Sequence, residues 1–111
     1  MMYGKVGNKV VTILIDSGAQ CTLVDSSVIK GQAVRLFETN RQVKGVTGHW
    51  LAVSGEAFVP FVINEQAFYF KCLVVDDLNY DVMMGFDLMK ARRYILDFSQ
   101  LGQSNDEPPG G

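Results

Sequence analysis

The sequence predicts an all-β domain with one short helix near its C-terminal end. Segments rich in β-branched and aromatic residues recur along the chain, and clusters of Gly, Asn, Asp and Ser separate them. One stretch, residues 86–92, combines helix formers with an early carboxylate and late cations. The 111 residues, 48% of them hydrophobic, suffice for a single compact domain with a core.

The first part of the chain predicts a β-hairpin, a short strand and a helical turn. Residues 2–6 and 9–15 are strand segments, and Gly7-Asn8 between them tolerates the positive φ that a tight turn needs. Residues 21–24 predict another short strand. Residues 25–30 predict a helical turn opened by an Asp or Ser cap.

The rest of the chain predicts further strands joined by turns. Residues 34–37 are compatible with either a strand or an irregular segment. After them, the glycine-bearing residues 47–49 join two strand segments, so we expect a mobile hairpin. The remaining predicted elements are this hairpin's strands 42–46 and 50–53, strands 57–63, 68–75 and 82–84, the helix 86–92 and a last strand 94–98.

The charge balance excludes several classes of partner. The 12 acidic residues outnumber the 10 basic ones, so no global positive field attracts nucleic acid or anionic lipid. We therefore predict no nucleic-acid and no membrane partner. Because no apolar run is long enough to span a bilayer and no targeting segment is visible, we also expect a cytoplasmic location.

The supply of soft ligands argues against metal chemistry. The chain has one histidine, His49, and two cysteines, Cys21 and Cys72, without a C-x-x-C pair or an H-E-x-x-H helix. We predict no metal and no cofactor. The two cysteines are interpreted as buried free thiols, and a disulfide between them is the alternative.

The segment Leu14-Ile15-Asp16-Ser17-Gly18-Ala19 is the most informative part of the chain. An apolar strand leads directly to a carboxylate, where a charge is costly unless it has a partner or a chemical role. An Asx-turn or a helix cap is the alternative interpretation. Far downstream, Val82-Met83-Met84-Gly85 places apolar residues and a glycine in front of the predicted helix.

Together these two segments resemble the retropepsins, the aspartic proteases of retroviruses and retrotransposons. They look most like the proteases of long-terminal-repeat retrotransposons and their cellular relatives, and the resemblance extends from about Val10 to Phe98. It implies a closed all-β barrel with a flap hairpin and one short C-terminal helix. The protease domain is then expected over residues 1–101, and residues 102–111 are expected to form a disordered, linker-like tail.

The resemblance also implies a homodimeric aspartic endopeptidase that processes polyproteins. Asp16, Ser17 and Gly18 match the catalytic motif, with one Asp16 from each chain forming an aspartate dyad. Because the chain contains one such motif and no internal repeat, we expect a second copy of the chain to complete the dyad. A peptide or polyprotein is the expected substrate, in the cytoplasm or within retroelement particles.

Substrate contacts are implied for three places: the end of the catalytic loop, the flap and the strand before Gly85. The residues are Ala19, Gln20, Gly45, Val46, Thr47, Gly48, His49, Trp50 and Met84. Asp87 is interpreted as a helix cap, and Phe86 departs from the arginine that many retroviral enzymes carry after this glycine. A catalytically silent retropepsin-like module, which dimerises or binds peptides, is the alternative function.

Overall fold

The computed structural model describes residues 1–45 and 47–92. Its regular elements are, in chain order, β1 (Met2–Val6), β2 (Lys9–Ile15), β3 (Leu23–Asp25), α1 (Ser26–Ile29), β4 (Val53–Ile63), β5 (Gln66–Val75), β6 (Val82–Met84) and the helix α2, described over residues 86–92.

The strands close into a barrel. Within the described ranges their order is β1-β2-β6-β3-β5-β4, and β4 returns to pair with β1 at Lys5 and Val6. The pairs β2–β6 and β3–β5 are parallel, whereas the others are antiparallel. This topology confirms the predicted all-β fold with a closed barrel and a short helix near its end.

Two tight turns set the register of the long hairpins. Gly7 has a φ of 58° between β1 and β2, and Asn64 and Glu65 have φ values of 52° and 66° between β4 and β5. Positive φ at the first residue of a two-residue turn, as at Gly7, or at both residues, as at Asn64 and Glu65, matches the right-handed twist of the strands that the turn joins. The first hairpin therefore has the predicted bounds, and the second is longer than predicted because β4 begins at Val53 and β5 at Gln66.

The barrel interior holds the main core. Along β4, alternate side chains from Ala57 to Ile63 are buried, and those between them face outward. A second, smaller apolar cluster contains the buried residues Leu23, Leu73 and Val75, with partly buried residues packed against them. That second cluster connects the barrel to an irregular hairpin at residues 43–51.

The helical turn α1 is capped as predicted. Asp25 is its N-cap, and one carboxylate oxygen accepts the Ser27 N–H at 3.1 Å. The other oxygen accepts the Leu78 N–H at 2.8 Å. One aspartate therefore both starts the helix and ties it to the loop after β5.

The structure differs from the predicted elements at several places. The strand predicted at 21–24 is found at Leu23–Asp25, because residues 21 and 22 are engaged by the segment after β6. The hairpin predicted from two regular strands has only an isolated bridge between Lys44 and Trp50. It lacks a neighbouring strand in the described barrel to extend its ladder. Residues 34–37 are irregular apart from one bridge, Phe37 to Glu56.

Four predictions fall partly or wholly outside the described residues. These are the last residue of the strand at 42–46, the strand at 94–98, the end of the domain at residue 101 and the tail at 102–111.

Candidate active site

Asp16 follows the last residue of β2 and opens a tight loop. Its backbone N–H donates to the Met84 carbonyl at 2.9 Å, and its own carbonyl accepts the Ala19 N–H at 3.1 Å. Its side-chain oxygen Oδ1 accepts the Gly18 N–H at 3.0 Å. The carboxylate is half-buried, and Ser17 and Gly18 are exposed, so the loop presents an accessible acidic group at one end of the barrel.

The segment after β6 packs against the backbone of this loop. The Phe86 N–H donates to the Ala19 carbonyl at 2.8 Å, and the Asp87 N–H donates to the Gln20 carbonyl at 3.2 Å. A Cβ on Gly85 would lie only 2.6 Å from the carbonyl carbon and oxygen of Cys21. The two distant sequence motifs therefore meet at backbone contact, which requires glycine at position 85.

A threonine and an aspartate fasten this junction. The Thr22 hydroxyl donates to Asp87 Oδ1 at 2.7 Å and accepts the Gly85 N–H at 3.1 Å, while the Thr22 N–H donates to Asp87 Oδ2 at 3.2 Å. Thr22 is the one buried polar residue among those that the structure describes. Sequence reasoning missed it, although a threonine beside the apolar residues 23 and 24 was an available signal.

The hairpin of residues 43–51 is held by a few backbone hydrogen bonds. The Leu51 N–H donates to the Val43 carbonyl at 2.8 Å, and the Gly45 N–H donates to the His49 carbonyl at 2.7 Å. Gly48 has a φ of 88°, so its turn favours glycine. The hairpin base reaches the Asp16 loop through the second apolar cluster, which contains Val43 and Leu51 together with Cys21 and Met83.

Comparison with known proteins identifies the architecture. No protein-family profile and no curated protein matches the sequence. Among solved structures, EIAV protease in complex with the inhibitor HBY-793 superposes with a TM-score of 0.68 and 15% identity, over 82% of this chain and 85% of that one. The chain has a retropepsin-like fold.

Two further structures share this retropepsin-like fold. The retroviral protease-like domain of Ddi1 from Leishmania major has a TM-score of 0.64 and 21% identity, over 84% of this chain and 73% of that one. The foamy viral protease-reverse transcriptase, in complex with an RNA/DNA hybrid, has a TM-score of 0.52 and 15% identity. That match covers 76% of this chain and 10% of the viral one.

The hairpin of residues 43–51 lies between the two motifs in the chain, where the sequence resemblance predicts a flap, and we call it the flap hairpin. Thr47, Gly48, His49 and Trp50 are exposed, and Trp50 retains 61% of its surface. The Lys44 Nζ lies 5.1 Å from the centre of the Trp50 ring, within cation–π range. Gly45 is half-buried, and Val46 lies outside the described residues.

The remaining residues expected to contact substrate divide into accessible and buried ones. Ala19 is half-buried and Gln20 is exposed on the loop that Asp16 opens. Met84 was also expected to contact substrate, and its side chain is fully buried in the barrel core. Side chains alternate across a strand, so the preceding residue, Met83, faces the second apolar cluster beside the flap base.

Asp87 does not occupy the N-cap position that the sequence suggested. It lies within the first turn of α2, which is described from residue 86, and its carboxylate binds Thr22. Phe86, beside it, is exposed. The aspartate therefore joins α2 to the end of the Asp16 loop and also lies at the helix end where a negative charge is favourable.

Burial disfavours the thiolate form of both cysteines. Burial raises the pKa of the half-buried Cys21 thiol, and deeper burial raises the pKa of Cys72 well above its ordinary value. Both are free.

Within residues 1–45 and 47–92, no group of three His, Cys, Asp or Glu side chains is arranged to hold a metal ion. No helix in the same ranges is long and apolar enough to cross a membrane.

Proposed function

We propose that this chain is an aspartic endopeptidase that acts as a homodimer, with Asp16 of each copy forming the catalytic dyad. The observation that supports the proposal is the placement of Asp16. Its carboxylate lies in an accessible loop fastened from two sides of the chain, on the fold that EIAV protease also has.

The chemistry requires two carboxylates that share one proton. Held about 3 Å apart, they cannot both ionise easily, so the pair shares one proton in mildly acidic solution, as in the aspartic proteases generally. The ionised carboxylate removes a proton from a water molecule as that water attacks the scissile carbonyl carbon. The protonated one hydrogen-bonds the carbonyl oxygen, and a proton then passes to the leaving amine. No covalent intermediate forms.

The surrounding residues serve the dyad in different ways. The Gly18 N–H donates to Oδ1 of Asp16, which fixes the carboxylate. Oδ2 is then left for the Asp16 carboxylate of the other copy or for water. In the proposed dimer the exposed Ser17 hydroxyl bonds to the other subunit and stiffens the paired loops. The flap closes over the substrate and excludes water from the reaction.

The proposed substrates are extended peptide segments with apolar side chains, bound as strands between the flaps and the dimer floor. The floor in each copy includes the partly buried apolar residues Met83 and Leu51 beside the loop. Processing of a polyprotein, in the cytoplasm or within retroelement particles, is the setting that we propose for this activity. Cell fractionation followed by immunodetection would test the location.

Substitution of Asp16 by Asn tests the proposal. We expect Asp16→Asn to abolish cleavage of a peptide library between about pH 4 and pH 7 while its circular dichroism spectrum and Tm match the wild type. Asp77→Asn is the matched control, because Asp77 is an exposed turn residue with a φ of 59° that asparagine adopts readily. A wild-type dimer that cleaves no peptide in that range would contradict the proposal.

Binding of a pepstatin-like transition-state mimic separates the enzyme from a silent peptide-binding module. Affinity for tetrahedral geometry depends on the dyad, so the enzyme should lose this binding in Asp16→Asn and keep it in Asp77→Asn. Peptide binding that is equal in all three proteins, without cleavage, would identify the silent module instead.

A further inference from the structure

We propose that Thr22, with Asp87, is a positioning residue. It sets the orientation of the Met84–Gly85 peptide, whose carbonyl accepts the backbone N–H of Asp16. This inference rests on the proposed endopeptidase function, because the orientation of Asp16 determines the geometry of the dyad. The residues concerned are Thr22, the Met84–Gly85 peptide and Asp87, and we refer to them as the loop clasp.

The Met84–Gly85 peptide connects Asp16 with Asp87: its carbonyl contacts Asp16 directly, and its N–H contacts Thr22, which in turn binds Asp87. Its carbonyl accepts the Asp16 N–H at 2.9 Å, and its N–H donates to the Thr22 hydroxyl at 3.1 Å. A peptide unit is planar, so the direction of its N–H fixes the direction of its carbonyl. The Thr22 hydroxyl therefore controls the direction in which the carbonyl meets the backbone of Asp16.

Asp87 in turn fixes the Thr22 hydroxyl. That hydroxyl has one proton, which it donates to Asp87 Oδ1 at 2.7 Å, so a lone pair is directed at the Gly85 N–H. The Thr22 N–H and the Leu88 N–H also donate to the Asp87 carboxylate, at 3.2 and 2.6 Å. The carboxylate is thereby held by both the loop and α2, and the hydroxyl has a single favourable rotamer.

Thr22 acts on Asp16 without access to substrate. Its exposed fraction is 0%, so a change in its side chain cannot alter a direct substrate contact. A loosened Met84–Gly85 peptide should displace Asp16 and change the spacing of the dyad. We therefore expect the effect on the rate of the chemical step and on its pH dependence, rather than on substrate binding.

The chain offers a matched control at a second Thr–Asp pair. The N–H and hydroxyl of Thr12 both donate to Asp81 Oδ2, at 2.9 and 3.2 Å, and this pair joins β2 to the residue before β6. It thus connects much the same two segments as the loop clasp, at the opposite end of the strands from Asp16.

The test compares Thr22→Val, Thr22→Ser and Thr12→Val. For Thr22→Val we expect kcat to fall about tenfold to a hundredfold, with KM within about twofold of wild type and a displaced pH–rate profile. Thr22→Ser keeps the hydroxyl, so its kcat and pH–rate profile should match those of the wild type. Thr12→Val should lose stability while keeping the wild-type kcat and pH profile. Equal kcat values and pH profiles for Thr22→Val and Thr12→Val would overturn the proposal.

Two additional measurements keep the test decisive. If Thr22→Val does not fold, Asp87→Asn takes its place in the test. The asparagine side chain places an NH2 donor opposite the Thr22 N–H, which is also a donor, and keeps one oxygen as an acceptor. The same split between kcat and KM is expected, and an unchanged kcat overturns the proposal. Hydrogen exchange of the Asp16 amide, measured by NMR, should accelerate in the loop-clasp variants and stay unchanged in Thr12→Val.

The exchange measurement also separates the two proposals. If the wild type proves inactive, the proposed function fails, yet faster Asp16 exchange confined to the loop-clasp variants still supports the positioning role. If the wild type is active and exchange at Asp16 is the same in all variants, the positioning role fails alone.

Discussion

At the scale of single residues, Gly85 and Gly18 show how differently two glycines of one site are constrained. A Cβ on Gly85 would lie 2.6 Å from backbone atoms of Cys21 and 3.1 Å from the Ala19 carbonyl oxygen. A Cβ on Gly18 would meet only Asp16 Oδ1, at the ordinary distance of 3.4 Å. The first glycine is thus required by backbone packing within one chain, and the second is not.

We therefore predict that alanine at these two positions affects the stability of the single chain to very different extents. Gly85→Ala should lower the free energy of unfolding by about 2–3 kcal/mol, because the strands must separate to admit the methyl group. Gly18→Ala should change it by less than about 1 kcal/mol. Denaturant unfolding at a concentration where both variants are monomeric measures the difference. Equal losses would contradict the contact geometry at Gly85.

At the scale of elements, one side chain of β4 anchors the segment that leads to the flap. The backbone of Phe37 and Glu56 exchanges two hydrogen bonds, at 2.7 and 2.8 Å. The Thr39 hydroxyl donates to the Glu56 carboxylate at 2.6 Å, and Lys71 Nζ lies 3.5 Å from its other oxygen. The hydrogen bond from Thr39, followed by the charge of Lys71, lowers the pKa of Glu56 below its ordinary value.

This lowered pKa predicts an acid-sensitive anchor for the flap. A carboxyl whose pKa is lower in the folded chain stabilises the fold when it is ionised, and that stabilisation disappears as the pH falls from about 4.3 through the folded value. Glu56→Gln should therefore lower the Tm at pH 7, and the difference from wild type should shrink on acidification. Glu38→Gln, at an exposed neighbour, is the control. A difference in Tm that is independent of pH would contradict this role.

At the scale of the whole molecule, the barrel gathers the site at one end and leaves it flanked by exposed apolar residues. Ile15, directly before Asp16, is 47% exposed, and Phe86, directly after Gly85, is 56% exposed. Large apolar side chains beside a charged loop are favourable when another surface covers them. The described chain has one Asp-Ser-Gly loop, and in the proposed dimer a second copy covers these side chains and completes the dyad.

The proposed dimer predicts that the activity per chain depends on protein concentration. We expect the specific rate to rise with concentration and to level off where sedimentation shows a complete dimer. Phe86→Glu should shift both curves to higher concentration, because it places a charge in the covered face. Tyr69→Glu is the control, since Tyr69 is 73% exposed on β5 and does not flank the loop. A rate per chain that is constant while the protein is monomeric would contradict the dimer.

The sequence by itself determined the features that depend on neighbouring residues. Gly7-Asn8 specified the first turn, the runs of β-branched and aromatic residues specified most of the strands, and Asp25 specified the start of α1. The segment around Asp16 pointed to the candidate site. Turn chemistry and strand periodicity act over a few residues, so they can be read directly from their order.

Only the tertiary structure decided the features that depend on register and burial between distant segments. It assigned the flap-facing side to Met83 and the core to Met84, and it joined Thr22 to Asp87 across 65 positions of the chain. It also left residues 43–51 as an irregular hairpin. A one-residue change of register exchanges the two faces of a strand, and the register of β6 is set by its pairing with β2 and β3.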